Sequence, residues 1–190
     1  MDFIIVFFTA FWLVLVGELG DKTQIAACTG ALANRKDTFI IFLSSALALL
    51  AVAALTVFFA GLIPESWLPK VELFGGLALF GYGIYLYRQA GIPEAEEAKD
   101  EGHGLVLFVS HFLVVFIAEM GDKTQFATLG VSIENPEHLA VVFAGSATAL
   151  VTVTAATVWG VTKVPTSWIK RVQQVGAVLM SIYGLYMIAF

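Results

Sequence analysis

The sequence predicts an all-α integral membrane protein with six transmembrane helices, arranged as two inverted-topology three-helix repeats. Three observations carry that expectation. Of the 190 residues, 59% are hydrophobic and 13% charged, with a mean hydropathy of +0.87; a soluble domain carries roughly 25% charged residues. Six apolar segments have about the length that a bilayer crossing requires. One half of the chain also recurs in the other at a constant offset of 101 residues.

The six segments are Phe3–Ala33, Thr38–Ile63, Val71–Tyr87, Leu105–Ile133, Leu139–Val161 and Val172–Phe190. The first and fourth are long, and each is interrupted by a charged motif. The first opens on Met1-Asp2-Phe3 and lacks the positive stretch of a cleavable leader, so it is expected to be a retained helix. Between the third and fourth lies Gln89–Gly104, rich in Glu and Asp and too polar for lipid. It is expected to be an aqueous linker, with metal sensing the alternative role. The chain thus divides into a first repeat (1–88), an acidic cytoplasmic linker (89–104) and a second repeat (105–190).

Orientation follows from Lys and Arg. Arg35, Lys36, Arg88, Lys99, Lys163, Lys170 and Arg171 fall in loops on one side, against Lys70 alone on the other. Cytoplasmic loops carry the excess of Lys and Arg. The expected location is therefore the inner (plasma) membrane, multi-pass, with both termini outside the cytoplasm. Trp67 and its mate Trp168 are expected to be interfacial anchors.

The duplication is dense. Glu18, Gly20, Asp21, Lys22, Thr23 and Gln24 match Glu119, Gly121, Asp122, Lys123, Thr124 and Gln125. Ser45 falls on Ser146, Pro64 on Pro165, Trp67 on Trp168, and Gly83 on Gly184. An odd number of spans per repeat sends the second half through the membrane in the opposite sense. Such repeats place a transport site at their interface, near the midplane.

The two motifs hold the chemistry. Ionisable side chains at mid-membrane are expensive and usually mark an ion path. On a continuous helix Glu18 and Asp21 share a face, as do Glu119 and Asp122; the glycines permit a local break instead. Together the motifs offer four carboxylates and two lysines, a net charge of −2 when all are ionised. One divalent cation or two protons would neutralise it. Glu18, Asp21, Glu119 and Asp122 are the expected metal ligands. Secondary candidates are Gln24, Gln125, Thr23, Thr124, Ser45 and Ser146, with Lys22 and Lys123 as counter-ions. The plain alternative is a set of buried ion pairs that only holds helices together.

Oxygen ligands suit Ca²⁺, Mg²⁺ or Mn²⁺ rather than Zn²⁺ or Cu⁺. Met120 would add a softer thioether that favours Mn²⁺, with simple packing the plainer reading. His111, whose mate is Ala10, is either a proton relay or a hydrogen-bonded helix histidine. Cys28 is the one cysteine, which excludes an intrachain disulfide and any Cys/His zinc constellation. No basic stripe offers a nucleic-acid surface.

The two signatures, Glu18-Leu19-Gly20-Asp21-Lys22-Thr23 and Glu119-Met120-Gly121-Asp122-Lys123-Thr124, resemble those of a family of small membrane cation transporters. That family carries a duplicated Glu-x-Gly-Asp-Lys/Arg-Thr/Ser signature and is described as calcium or manganese:proton antiporters. The resemblance covers nearly the whole chain, and the short length is similar to the bacterial branch linked to manganese export. It implies metal binding by the four motif carboxylates, with Mn²⁺ and protons exchanged across the bilayer, Ca²⁺ the alternative ion, and no cofactor. A homo-oligomer is compatible with it. The competing classes are a channel or exporter for another solute, an intramembrane enzyme, and a non-transporting assembly factor. The enzyme reading lacks a distinct nucleophile, base and oxyanion donor.

Overall fold

The computed structural model describes residues 2–18, 37–89, 103–160 and 166–189. Seven α-helices occupy nearly all of them: α1 (Phe3–Glu18), α2 (Thr38–Ala60), α3 (Leu68–Gln89), α4 (Gly104–Glu119), α5 (Lys123–Glu134), α6 (Leu139–Gly160) and α7 (Thr166–Ala189). Short 3-10 turns at Glu65–Trp67 and Pro136–His138 lead into α3 and α6. No strand occurs among the described residues.

The helices are apolar on every side, so periodicity does not tell their faces apart. Side-chain size helps. On α2 the small Ser44, Ser45, Ala46, Ala48, Ala53 and Ala60 are buried beside Ile41, Leu49, Val52 and Val57, while Phe39, Leu47, Phe58 and Phe59 point outward. In lipid the hydrophobic effect does not drive helices together, and small residues allow close backbone packing. The outward aromatics and leucines, among them Trp12, Phe74, Leu105 and Ile117, form far more exposed apolar surface than a water-soluble monomer tolerates. The molecule is a membrane protein. Several buried hydroxyls are satisfied by their own helices, as where Thr56 donates to the Val52 carbonyl at 2.9 Å and Thr154 to that of Leu150 at 2.8 Å.

Two helical segments, Thr38–Ala60 and Pro136–Trp159, are long and apolar enough to span a membrane on their own. A third span is formed if α4 and α5 are counted together across a 63° bend. The remaining apolar stretches are shorter: Phe3–Glu18, Leu73–Tyr85 and Gln174–Ala189. The expected first segment ran on to Ala33, and its part beyond Glu18 lies outside the described residues, as do Gly20 to Gln24 of the first motif. The fourth segment, read as one helix with a charged interruption, is two helices. The sixth begins earlier than expected, at Thr166.

Packing crosses between the halves. α1 lies against α6, and α4 against α2; α2 also meets α6, and α3 meets α7. The 101-residue shift exchanges the first two of these pairs with one another. It acts likewise within α3 and α7. A Cβ on Gly184 would stand 2.6 Å from the Gly76 carbonyl oxygen, and one on Gly83 would stand 2.6 Å from that of Ala177. The shift converts one contact into the other. Ser181 Oγ donates to the carbonyl of Phe80, its own mate, at 3.4 Å.

Candidate metal centre

α4 buries one stripe of four residues spaced a turn apart: Leu107, His111, Val115 and Glu119. The helix stops at Glu119 because Gly121 adopts a φ of +87°, a left-handed conformation that glycine takes without strain. Asp122 caps α5 with extended backbone. Gln125, two residues into α5, accepts a hydrogen bond from the Gly121 N–H. That is close to a capping box, in which a Gln at the third helical position reaches back over the helix start. Asp122 and Glu119 therefore do not share one helix face as the sequence suggested. They flank a break whose far side Gln125 ties down.

The break brings the carboxylates together. Glu18, the last residue of α1, and Glu119, the last of α4, are 0% and 2% exposed. Glu18, Glu119 and Asp122 each offer a carboxylate oxygen, and these three atoms lie within 4.8 Å of one another. Hard cations hold oxygens at roughly 2.0–2.6 Å, so one ion between the three can touch all of them. Ionised carboxylates this close repel each other strongly in a medium of low dielectric. Lys123 supplies part of the compensation, its Nζ donating to Asp122 Oδ2 at 3.0 Å. A small, partly open cavity adjoins Glu119 and is lined by the polar Thr124, Gln125 and Thr128 and by the apolar Val14, Leu49 and Leu150.

The remaining candidates fall as follows. Thr124 is buried beside the cavity. Gln125 lines it too, but its amide oxygen is engaged by the turn. Ser45 Oγ lies 2.9 Å from His111 Nε2. Ser146 Oγ lies 3.4 Å from Thr128 Oγ1. Met120 is half exposed at the turn. Asp21, Lys22, Thr23 and Gln24 lie outside the described residues. Sequence reasoning missed Thr128, although it sits one turn beyond Thr124 on the same helix face. It also missed Glu134, whose carboxylate accepts a hydrogen bond from the Tyr183 hydroxyl at 2.8 Å.

The sequence model of the family described as "Divalent cation/proton antiporter GDT1" matches residues 6–93 and 107–189, both halves of the duplication. The chain belongs to the GDT1 family. That is a family of transporters and not of enzymes. Among its relatives, the chain is 30% identical to "GDT1-like protein 1, chloroplastic" of Oryza sativa subsp. japonica, covering 66% of this chain and 45% of that one. It is 26% identical to "GDT1-like protein 3" of Arabidopsis thaliana, over 66% and 50% of the two chains. A Vibrio cholerae protein named "Putative manganese exporter" is 32% identical over 70% of this chain and 64% of its own. The chain thus spans about half the length of its plant relatives. No solved structure matches it.

Proposed function

We propose that this GDT1-family chain is a secondary transporter that moves a divalent cation, Mn²⁺ foremost, out of the cytoplasm in exchange for protons. The observation that carries the reading is the convergence of Glu18, Glu119 and Asp122 from the two halves of the duplication, buried and within 4.8 Å of each other. Glu18, Asp21, Glu119 and Asp122 are the metal ligands, with Lys22 and Lys123 as tethered counter-ions. Either a cation or protons hold the cluster together, so the two occupants compete for one site. The family's description as cation/proton antiporters supports that exchange, and the name of the Vibrio relative favours Mn²⁺ over Ca²⁺.

The architecture that fits this reading is six spans in two inverted three-helix repeats, 1–88 and 105–190, joined by the acidic linker 89–104. It is supported by the exchange of helix contacts under the 101-residue shift. With both termini outside, α4 runs from the cytoplasmic face to the midplane and α5 from the midplane outward.

The test is flux in proteoliposomes with a pH dye and a panel of Mn²⁺, Ca²⁺ and Mg²⁺. The expected result is Mn²⁺ movement with an opposing proton flux, lost in Glu18→Gln and Glu119→Gln. Metal movement without protons would overturn the antiport, and normal flux in both variants would make the carboxylates structural.

A further inference from the structure

The antiport reading places metal and proton on one carboxylate cluster but leaves open how protons travel between that cluster and the cytoplasm. The buried stripe of α4 contains one group able to carry them. His111 is two turns before Glu119, about 12 Å along the helix axis, and is 8% exposed. It faces α2, where Ser45 Oγ meets its Nε2 at 2.9 Å. Across the described elements around it, ionisable groups are sparse. α2 and α6 carry none along their lengths, α1 carries only Glu18, and α4 carries only His111 and Glu119. At the starts of α2 and α4, Asp37 and His103 are joined to each other at 2.8 Å, and Asp122 with Lys123 lies beyond Glu119 at the cluster.

We propose that His111 is the proton-carrying group between the carboxylate cluster and the cytoplasm, with Ser45 as its positioning partner; the proposal rests on the antiport reading. Imidazole ordinarily titrates between about pH 5 and 8. Serine suits both of its charge states. A neutral Nε2 accepts from the Ser45 hydroxyl, and a protonated Nε2–H donates to the same oxygen, because a hydroxyl is donor and acceptor at once. The step is a plain proton transfer: a carboxylic acid at the cluster becomes a carboxylate, the imidazole becomes imidazolium, and the proton then passes to cytoplasmic water.

In this conformation the route is shut. Val115, between His111 and Glu119 on α4, packs with Ala48 and Leu49 of α2 and with Val14, Ala149 and Leu150. Among the described residues, that layer offers no polar group to conduct a proton. Transfer therefore occurs when the layer parts and water enters, which ties proton release to the conformational cycle. The route is one-sided. The mate of His111 is Ala10, whose neighbour on α6 is Gly145, and neither can carry a proton.

The test uses the full chain in proteoliposomes, with Mn²⁺ as the metal, comparing wild type with His111→Gln and Ser45→Ala. Glutamine can keep the bond to Ser45 but takes up no proton. The expected result is that H111Q binds Mn²⁺ with affinity within about twofold of wild type, while proton-coupled turnover falls at least about tenfold and loses its pH dependence between about pH 5 and 8. S45A, a near-isosteric change that preserves the fold, should slow turnover with the pH dependence retained. A wild-type pH profile in H111Q overturns the inference. So does a changed Mn²⁺ affinity with an unchanged profile, which would make His111 a metal contact. Should H111Q fail to fold, an S45A rate equal to wild type overturns it. No proton movement in the wild-type protein overturns the antiport reading and this inference with it.

Discussion

α1 and α4 are the same helix used twice, and they differ where it matters. Each buries a stripe of four residues a turn apart, Val6, Ala10, Val14 and Glu18 in α1, which buries Leu13 and Gly17 as well, and Leu107, His111, Val115 and Glu119 in α4. Three of the four pairs keep their character. The fourth sets an alanine against a histidine, and the facing helices are cut to fit. Opposite Ala10, a Cβ on Gly145 would come within 2.5 Å of the Phe7 carbonyl oxygen, so α6 presses its backbone onto α1. The mate of Gly145 on α2 is Ser44, and beside it Ser45 reaches His111. One interface is closed by backbone contact and the other is held open around an imidazole. Duplication supplied two equal halves of a carboxylate site, and divergence at one helical position made the approaches to it unequal.

The largest effects should fall where the halves still agree. Glu18→Gln and Glu119→Gln remove equivalent members of the proposed site and should each weaken Mn²⁺ binding by at least about 100-fold, since even outer partners of a metal site are worth 10–100-fold; titration calorimetry reads this directly. A large difference between the two variants would break the equivalence. Next is Gly145→Val, which drives a branched side chain into the α1 backbone. It should destabilise the protein by about 1–3 kcal/mol, whereas Ser44→Ala at the mated position should cost less than about 1 kcal/mol. Thermal unfolding in detergent compares them, and equal losses would mean that the interfaces are packed alike. Gly121→Ala should cost about 1 kcal/mol or more for its left-handed φ and displace Asp122 from the cluster, lowering metal affinity as well as stability. Gln125→Ala removes the bond to the Gly121 N–H and should cost about 1 kcal/mol, with a smaller fall in affinity. If Gln125→Ala leaves stability untouched while abolishing binding, Gln125 is a ligand and not a clamp for the turn.

Much of this was legible in the chain. All six apolar segments contain helix where they are described, because a run of apolar residues in lipid has few other ways to satisfy its backbone. The duplicated motif located the carboxylates, and its symmetry implied that Glu18 and Glu119 would meet. The face each helix buries was less legible, since α2 is apolar all round; the clue was the distribution of small residues. The break at Gly121 was read only as an option. Its signal was present in Asp122-Lys123-Thr124-Gln125, an N-cap residue with Gln three positions on, which is the start of a helix and not its middle. Thr128 and Glu134, the partner of Tyr183, had no mate in the first repeat to draw attention to them: Ala27 and Ala33 stand at the equivalent positions.

The 63° bend between α4 and α5 also bears on how long an ion stays. A helix N-terminus carries a partial charge of about +0.5 and a C-terminus about −0.5. At the bend the C-terminus of α4 and the N-terminus of α5 meet beside the same carboxylates, so the two ends largely cancel. With the two ends cancelled, the Lys123 ammonium on Asp122 is what opposes a bound cation that the acids alone would hold tightly. A storage protein gains from tight holding, whereas a carrier, as proposed here, must let go on every cycle. A lysine carried at the bend therefore trades residence time for turnover, and removing its charge would turn a ferry into a trap.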